Sequence, residues 1–271
     1  MKGIITRTLT GIVFLAVLLG GLCIHQYAFL PVFALVAGLT VWEFYSLINR
    51  GKTMLARRII ASAAGIYLFF ATFMYASGSA GQRIFGPYLL FIIFIFVSEL
   101  YESKSTSHIR NWGNILLGQV YCILPFALLN FIAFRSGPFT PWPALALFVF
   151  VWVNDTGAFL VGTLFGRSHL FPRISPYKSW EGLAGGLALT LAAAWIFSRF
   201  QPQWNLWIWL AAAATVAVFA VWGDLVESLL KRTLGVKDTG KLLPGHGGML
   251  DRFDSILVAA PAYYVLIQII T

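Results

Sequence analysis

Charged residues are scarce in this chain. Only 11% of its 271 residues are charged, whereas 59% are hydrophobic. That leaves too little polar material to cover the surface of a soluble globule of this size, which excludes an ordinary soluble domain. The composition instead predicts a polytopic membrane protein.

Cysteine and the common catalytic signatures are almost missing as well. The two cysteines, Cys23 and Cys122, both fall in apolar runs, and we expect buried apolar side chains rather than a disulfide or a metal pair. The sequence has no Walker loop, no HExxH pattern and no evident internal repeat. A P-loop nucleotide site and a zinc hydrolase site are therefore disfavoured.

Apolar runs long enough to cross a bilayer recur along the whole chain. Runs of about 17–25 residues meet that requirement. No small-x-small cleavage site follows the first run, so we expect a span there and not a signal peptide. The sequence predicts an all-α integral membrane protein with about nine transmembrane helices, near residues 8–24, 28–48, 59–76, 84–100, 113–134, 142–165, 183–199, 205–223 and 255–270.

The basic residues are distributed unevenly between the two sides. With a cytoplasmic N-terminus, all of the 19 basic residues except Arg83, Arg135 and Arg199 lie on the cytoplasmic side. The positive-inside rule therefore predicts a cytoplasmic N-terminus and an extracytoplasmic C-terminus. The net charge of +9 mostly expresses this bias, so no nucleic-acid partner is expected, whereas anionic membrane lipids are.

All ten acidic residues fall in cytoplasmic loops or in the inner halves of spans under this topology. Carboxylates are not subject to the positive-inside bias, so their clustering needs another reason. We expect Glu43 and Glu99, near the ends of their spans, to be solvated. Asp155 lies well inside an apolar run and is a functional candidate, because an ionisable group is expensive there.

Two polar stretches, residues 166–182 and 224–254, stand out from the apolar background. We predict that residues 1–100 form a membrane scaffold and that residues 101–271 form the catalytic region containing both stretches. In the second stretch, a polar stripe at helical spacing predicts a helix face that continues from the membrane into the loop and faces a hydrated cavity. The stripe comprises Asp224, Glu227, Ser228 and Lys231.

The residue types in the second stretch indicate phosphate chemistry. Asp251 and Asp254 are three residues apart and would share one face of a helix, which suits a hard cation with oxygen ligands. Lysine and arginine side chains nearby suit phosphate oxygens. The turn from Gly245 to Gly248 could present backbone N–H groups to an anion. Together they predict a magnesium nucleotide or another phosphate ester as ligand.

Three motifs in the C-terminal half resemble those of one enzyme family. They are residues 155–159 (DTGAF), residues 175–182 (SPYKSWEG) and residues 228–254 (SLLKRTLGVKDTGKLLPGHGGMLDRFD). The longest of them closely resembles the signature of phosphatidate cytidylyltransferases, the CDP-diacylglycerol synthases. The resemblance implies transfer of the cytidylyl group of CTP to phosphatidic acid, giving CDP-diacylglycerol and pyrophosphate. It also implies a homodimer.

The resemblance and the residue chemistry together suggest roles for individual side chains. We expect Mg²⁺ as cofactor, with room for a second metal ion, and Asp224, Asp251 and Asp254 as metal ligands. The expected catalytic residues are Asp224, Asp251, Lys231, Arg252 and Asp155. The expected substrate-binding residues are Ser175, Lys178, Ser179, Arg232, Lys237, Lys241, His246, Gly247 and Gly248.

Two other functions remain open at this stage. A CTP-dependent polyprenol or phytol kinase also uses CTP at a membrane, but it transfers the γ-phosphoryl group to an alcohol. A secondary transporter could place Asp155 and Asp224 in a hydrated path. For the cytidylyltransferase we expect a bacterial inner membrane location with the active site facing the cytoplasm.

Overall fold

The computed structural model describes residues 2–48, 55–101, 107–240, 242–243, 245 and 247–270, with side chains from residue 8 onward. Within these ranges nearly all of the chain is helical. The helices are α1 (Lys2–Cys23), α2 (Gln26–Ile48), α3 (Leu55–Ala76), α4 (Gly86–Ser98), α5 (His108–Gly118), α6 (Leu124–Ala133), α7 (Trp142–Phe165), α8 (Trp180–Phe200), α9 (Leu206–Thr233) and α10 (Leu250–Ile270). Short 3₁₀ turns flank α4 at Gln82–Phe85 and Glu99–Tyr101, and a π-helical turn at Gln119–Ile123 joins α5 to α6.

Eight helical segments among the described residues are long and apolar enough to cross a membrane, and a shorter apolar helix covers Thr8–Cys23. This confirms the predicted all-α polytopic membrane protein, while the orientation of its termini stays a prediction. The segments are Gln26–Ile48, Leu55–Ala76, Gln82–Tyr101, His108–Ala133, Trp142–Phe165, Trp180–Phe200, Leu206–Thr233 and Leu250–Ile270.

Two compact units divide the chain. The first comprises Met1–Thr140 and Asp238–Arg252, and the second comprises Pro141–Lys237 and Phe253–Thr271. The functional division predicted at residue 100 is a different kind of boundary and stays a prediction.

Close helix packing and buried polar side chains hold the first unit together. A Cβ at Gly38 of α2 would lie 2.7 Å from Ile66 Cδ1 of α3, so glycine allows these helices to approach. Gln119, in the π-helical turn, donates through Nε2 to the Tyr45 hydroxyl at 2.9 Å and to the Ala61 carbonyl at 2.8 Å. These bonds give a buried amide the partners that an apolar environment demands. Cys122 is buried as expected, but Cys23 at the end of α1 is exposed.

Glycine-lined packing of α7 against α8 dominates the second unit. A Cβ at Gly157 would lie 3.0 Å from the Gly186 Cα, and one at Gly186 would lie 2.8 Å from the Asn154 carbonyl oxygen. Before α8 the chain forms a short antiparallel hairpin, β1 (His169–Phe171) with β2 (Ser175–Ser179), which the sequence did not predict. The Ser179 hydroxyl then accepts from the Gly182 N–H at 3.1 Å and caps α8.

Candidate active site

Three carboxylates from α9 and α10 meet in the second unit. Asp224, Glu227 and Asp254 each offer one oxygen, and these oxygens lie within 4.8 Å of one another. Asp224 and Glu227 share a helix face because they are three residues apart. α9 extends to Thr233, beyond the predicted end of the span, so this face is continuous helix, as the polar stripe predicted. We call these three side chains the acidic cluster.

Gly223 explains how α10 comes close enough to complete the acidic cluster. A Cβ at this position would lie 2.5 Å from the Asp254 carbonyl oxygen and 2.9 Å from the Ser255 Cα. Any larger residue would push the two backbones apart. The glycine immediately before Asp224 therefore allows Asp254 to reach the carboxylates of α9.

Two lysines of the same unit pair with the acidic cluster. The Lys178 Nζ lies 2.7 Å from Asp224 Oδ2 and donates to the Val221 carbonyl at 3.3 Å. Lys231 forms an ion pair with Glu227, one helical turn before it. Both lysine side chains are partly buried, at 23% and 18% exposure. These ammonium groups are therefore held at the carboxylates without being sealed from a ligand.

Asp155 of α7 belongs to the same electrostatic environment. The charges of Asp224 and Lys178 act on its carboxylate. Asp254 in turn experiences the charges of Asp224, Asp155 and Lys231. Four carboxylates thus share this region with two ammonium groups.

This arrangement suits a divalent cation. A hard cation takes carboxylate oxygens, and Mg²⁺ in particular is usually held by one or two protein carboxylates together with substrate phosphates. Asp224 is 37% exposed at its side chain, whereas Glu227 is fully buried. The region holds more carboxylates than ammonium groups, and a bound cation would offset this excess of negative charge. Asp224, Glu227 and Asp254 therefore fit a metal ion on the chemistry of their donors.

Glu227 is a site residue that the sequence reasoning assigned to a hydrated stripe and not to a metal. Its side chain has no exposed surface and lies among the carboxylates. The available signal was its spacing of three residues from Asp224, which is the same signal that selected Asp251 and Asp254. Only the packing of α9 against α10 distinguishes the two cases.

Asp251 lies in the first unit, in the first turn of α10, and contacts backbone. Its Oδ2 accepts from the Thr239 N–H and from the Gly248 N–H, both at 2.9 Å. These bonds stabilise the start of a helix and the chain that leads into it. The metal-ligand role of Asp251 stays a prediction.

Glu43 corrects an expectation from the sequence. It is buried, with 8% exposure, and its Oε2 accepts from the Leu250 N–H at 3.0 Å. The predicted solvated helix end is therefore wrong for Glu43. A buried carboxylate needs a hydrogen-bond partner. The partner of Glu43 lies 207 residues away in the sequence, so the residues around Glu43 do not reveal it.

Glu99 corrects the same expectation. Its side chain is buried at 3% exposure and forms an ion pair with Arg57. Glu99 Oε1 also lies 2.8 Å from His108 Nδ1 and accepts from the Asn111 amide at 2.8 Å. These partners come from α3 and α5, so the sequence around Glu99 does not reveal them.

The other predicted substrate-binding residues and the predicted catalytic residue Arg252 are dispersed. Ser175 begins β2, and the hydroxyl of Ser179 is engaged in capping α8. Gly247 has a φ of +84°, a left-handed conformation that favours glycine. Arg232, Lys237 and Arg252 are exposed, and Lys241 and His246 lie outside the described residues. The structure thus brings together Lys178, Lys231, Asp155, Asp224 and Asp254 from the predicted set.

Several known proteins are similar to this chain over nearly its whole length. Residues 5–270 match the family described as the cytidylyltransferase family. Phosphatidate cytidylyltransferases from Haemophilus influenzae, Pseudomonas aeruginosa and Staphylococcus haemolyticus are 32%, 33% and 36% identical to it. These alignments cover 95–96% of this chain and 96–98% of the relatives. The chain is thus an integral membrane protein that belongs to the cytidylyltransferase family.

Proposed function

We propose that this protein is a phosphatidate cytidylyltransferase, which makes CDP-diacylglycerol and pyrophosphate from CTP and phosphatidate. Family membership and relatives of that name over nearly the whole chain support the reaction. The observation that carries the proposal is the acidic cluster with its two lysines in a membrane-spanning unit. In this arrangement carboxylates that can bind a cation lie beside ammonium groups that can bind phosphates.

The reaction requires two anions to meet. A phosphate oxygen of phosphatidate attacks the α-phosphorus of CTP, a new P–O bond forms there, and the bond to the β-phosphate oxygen breaks to release pyrophosphate. Mg²⁺, when bound, would offset the charge of the triphosphate and of the leaving pyrophosphate. Asp224, Glu227 and Asp254 would hold it. The attacking phosphate is already ionised, so no general base is required.

The two lysines that pair with the acidic cluster bind phosphate oxygens in this proposal. Lys178 and Lys231 are each held beside a carboxylate, so an incoming phosphate and metal ion can exchange partners with them. Asp155 adds negative charge to the same region and keeps its proposed catalytic role. Arg252 keeps its proposed catalytic role. The proposed substrate contacts outside the cluster are Ser175, Ser179, Arg232, Lys237, Lys241, His246, Gly247 and Gly248.

The active site faces the cytoplasm in this proposal. CTP must arrive from an aqueous compartment, and the bias of basic residues supports a cytoplasmic location for residues 166–182 and 224–254. Phosphatidate must enter from the adjacent leaflet, which suits carboxylates at the end of a membrane-spanning helix. The membrane is the inner membrane of a bacterium, in keeping with the bacterial relatives. A homodimer remains part of the proposal.

Product analysis tests the reaction. Protein purified in detergent is incubated with phosphatidate, Mg²⁺ and CTP labelled in the cytosine ring, and the lipids are extracted. We expect label in the organic phase as CDP-diacylglycerol, lost when Mg²⁺ is omitted. Labelled CDP in the aqueous phase without labelled lipid would indicate a lipid kinase instead. Intact CTP with a well-folded sample would contradict an enzyme and favour a transporter.

A further inference from the structure

A carboxylate from the N-terminal part of the chain holds the segment that leads into α10. We call residues 238–250 the signature segment; the structure describes all of it except residues 241, 244 and 246. Glu43 lies on α2, and its Oε2 accepts from the Leu250 N–H at 3.0 Å. The Thr239 hydroxyl lies at hydrogen-bond distance from the same oxygen, at 3.5 Å. One buried carboxylate thus contacts both ends of the signature segment.

Two glycines of the signature segment leave room for this carboxylate. A Cβ at Gly240 would lie 2.5 Å from Glu43 Oε1, and one at Gly248 would lie 2.3 Å from Glu43 Oε2. Real Cβ atoms do not approach a carboxylate so closely, so any side chain at either position would displace Glu43 or the segment. The last glycine of the Gly-His-Gly-Gly turn therefore leaves space both for Glu43 of α2 and for Thr239, whose Oγ1 would lie 2.5 Å from the same Cβ.

Asp251, which directly follows the signature segment, also contacts both of its ends. Its Oδ2 accepts from the N–H groups of Thr239 and Gly248, both at 2.9 Å. Between those ends, the Leu243 N–H donates to the Gly247 carbonyl at 3.0 Å, and this bond brings residues 243 and 247 together. Glu43 and Asp251 form what we call the carboxylate clamp, which ties residues 239–240 to residues 248–250.

We infer that Glu43 is a positioning residue that fixes the signature segment in the conformation that binds the triphosphate of CTP. The inference rests on the proposed function for its ligand, but the clamp itself rests on contacts within the first unit. Glu43 touches the backbone of Leu250 and so acts through the segment, not on the reacting atoms. Backbone N–H groups at a helix start have few alternative partners in a buried environment, so their acceptor determines the path of the chain.

Three substitutions at Glu43 separate this role from general stability. Glu43→Ala removes the acceptor, Glu43→Asp keeps the charge but withdraws it by one methylene, and Glu43→Gln keeps an acceptor oxygen of the same reach. Glu99→Ala is the matched control, because Glu99 is also a buried carboxylate of the first unit and its described partners are Arg57, His108 and Asn111. Each protein is examined by hydrogen exchange in detergent and by initial-rate kinetics.

We expect faster exchange that is confined to the signature segment. Loss of the acceptor oxygen within reach of the Leu250 N–H should speed exchange in peptides covering residues 239–250 by about tenfold or more in Glu43→Ala and Glu43→Asp. Glu43→Gln should stay close to the wild type. In the kinetics, the first two variants should raise the KM for CTP about tenfold while the KM for phosphatidate stays unchanged. Glu99→Ala should change neither the exchange of this segment nor the KM for CTP.

Two results would overturn the inference. The first is an exchange rate of the signature segment that stays unchanged in both Glu43→Ala and Glu43→Asp, or that rises equally over the whole chain. Either outcome would show that Glu43 does not hold the segment. The second is faster exchange of the segment with a constant KM for CTP. That outcome would show that Glu43 holds the segment but does not position it for CTP. If the wild type itself makes no CDP-diacylglycerol, the proposed function fails, and the exchange experiment still decides whether the clamp exists.

Discussion

The acidic cluster and the carboxylate clamp use the same functional group with different partners. In the acidic cluster, Asp224 and Glu227 pair with the ammonium groups of Lys178 and Lys231. In the clamp, Glu43 and Asp251 accept from backbone N–H groups of the signature segment. The two regions therefore differ in what a ligand can displace.

Lysine ammonium groups sit on flexible stems and can move to a new anion. The acidic cluster can therefore exchange its lysines for a metal ion while the lysines turn to phosphate. A backbone N–H cannot leave its acceptor unless the chain itself moves. In the proposed mechanism the acidic cluster therefore takes part in the chemistry, whereas the clamp fixes the path of the signature segment.

The largest effect is expected from neutralising the acidic cluster. Asp224→Asn and Asp254→Asn should each lower CDP-diacylglycerol formation by about 10³-fold, since metal-ion stabilisation of a phosphoryl transition state contributes several kcal/mol. The measurement is the rate at increasing Mg²⁺ concentration with labelled CTP. Glu99→Gln is the control, because Glu99 is a buried carboxylate of the first unit with no proposed contact to substrate or metal. A loss of less than tenfold in both variants, with folded protein, would mean that these carboxylates hold no essential cation.

Asp251 has two competing roles, one in the carboxylate clamp and one as a metal ligand. If it acts in the clamp, Asp251→Ala should raise the KM for CTP by roughly tenfold, because the Thr239 and Gly248 N–H groups lose their acceptor. The Mg²⁺ concentration for half-maximal rate should stay that of the wild type. Titrations of both ligands with this variant provide the measurement. Complete loss of Mg²⁺-dependent turnover in a folded protein would instead support the metal-ligand role that the sequence predicted.

The spans could be predicted because bilayer thickness fixes the length of an apolar helix. The predicted span at residues 142–165 coincides with α7, and the other predicted runs fall within described helices, apart from their ends. The hairpin of β1 and β2 escaped prediction because strands of three and five residues leave almost no periodic signal. Local rules therefore gave the helices but not the short connection that carries Lys178.

Parts of the site were visible for a similar reason. Asp224 and Lys178 stood out because each is charged beside an apolar run, and the structure joins them at 2.7 Å. Glu43 was assigned to solvent because its own helix contains no partner for it. Its contacts lie with Thr239 and Leu250, about 200 residues later, and no periodicity within one helix contains that information. Long-range pairing was thus the part that the sequence pattern could not supply.

The smallest effect is expected at Lys178, where two explanations compete. Its charge obeys the positive-inside rule, but its Nζ lies at Asp224 in the acidic cluster. If the ammonium group binds a phosphate of CTP, Lys178→Ala should raise the KM for CTP several-fold to about tenfold, and Lys178→Arg should restore part of the loss. Steady-state kinetics at saturating phosphatidate measure this effect. Arg173→Ala is the matched control, because Arg173 is an exposed basic residue of the same hairpin. Equal, small effects at both positions would leave Lys178 with a topological role alone, and the exchange of partners inferred for the acidic cluster would then rest on Lys231.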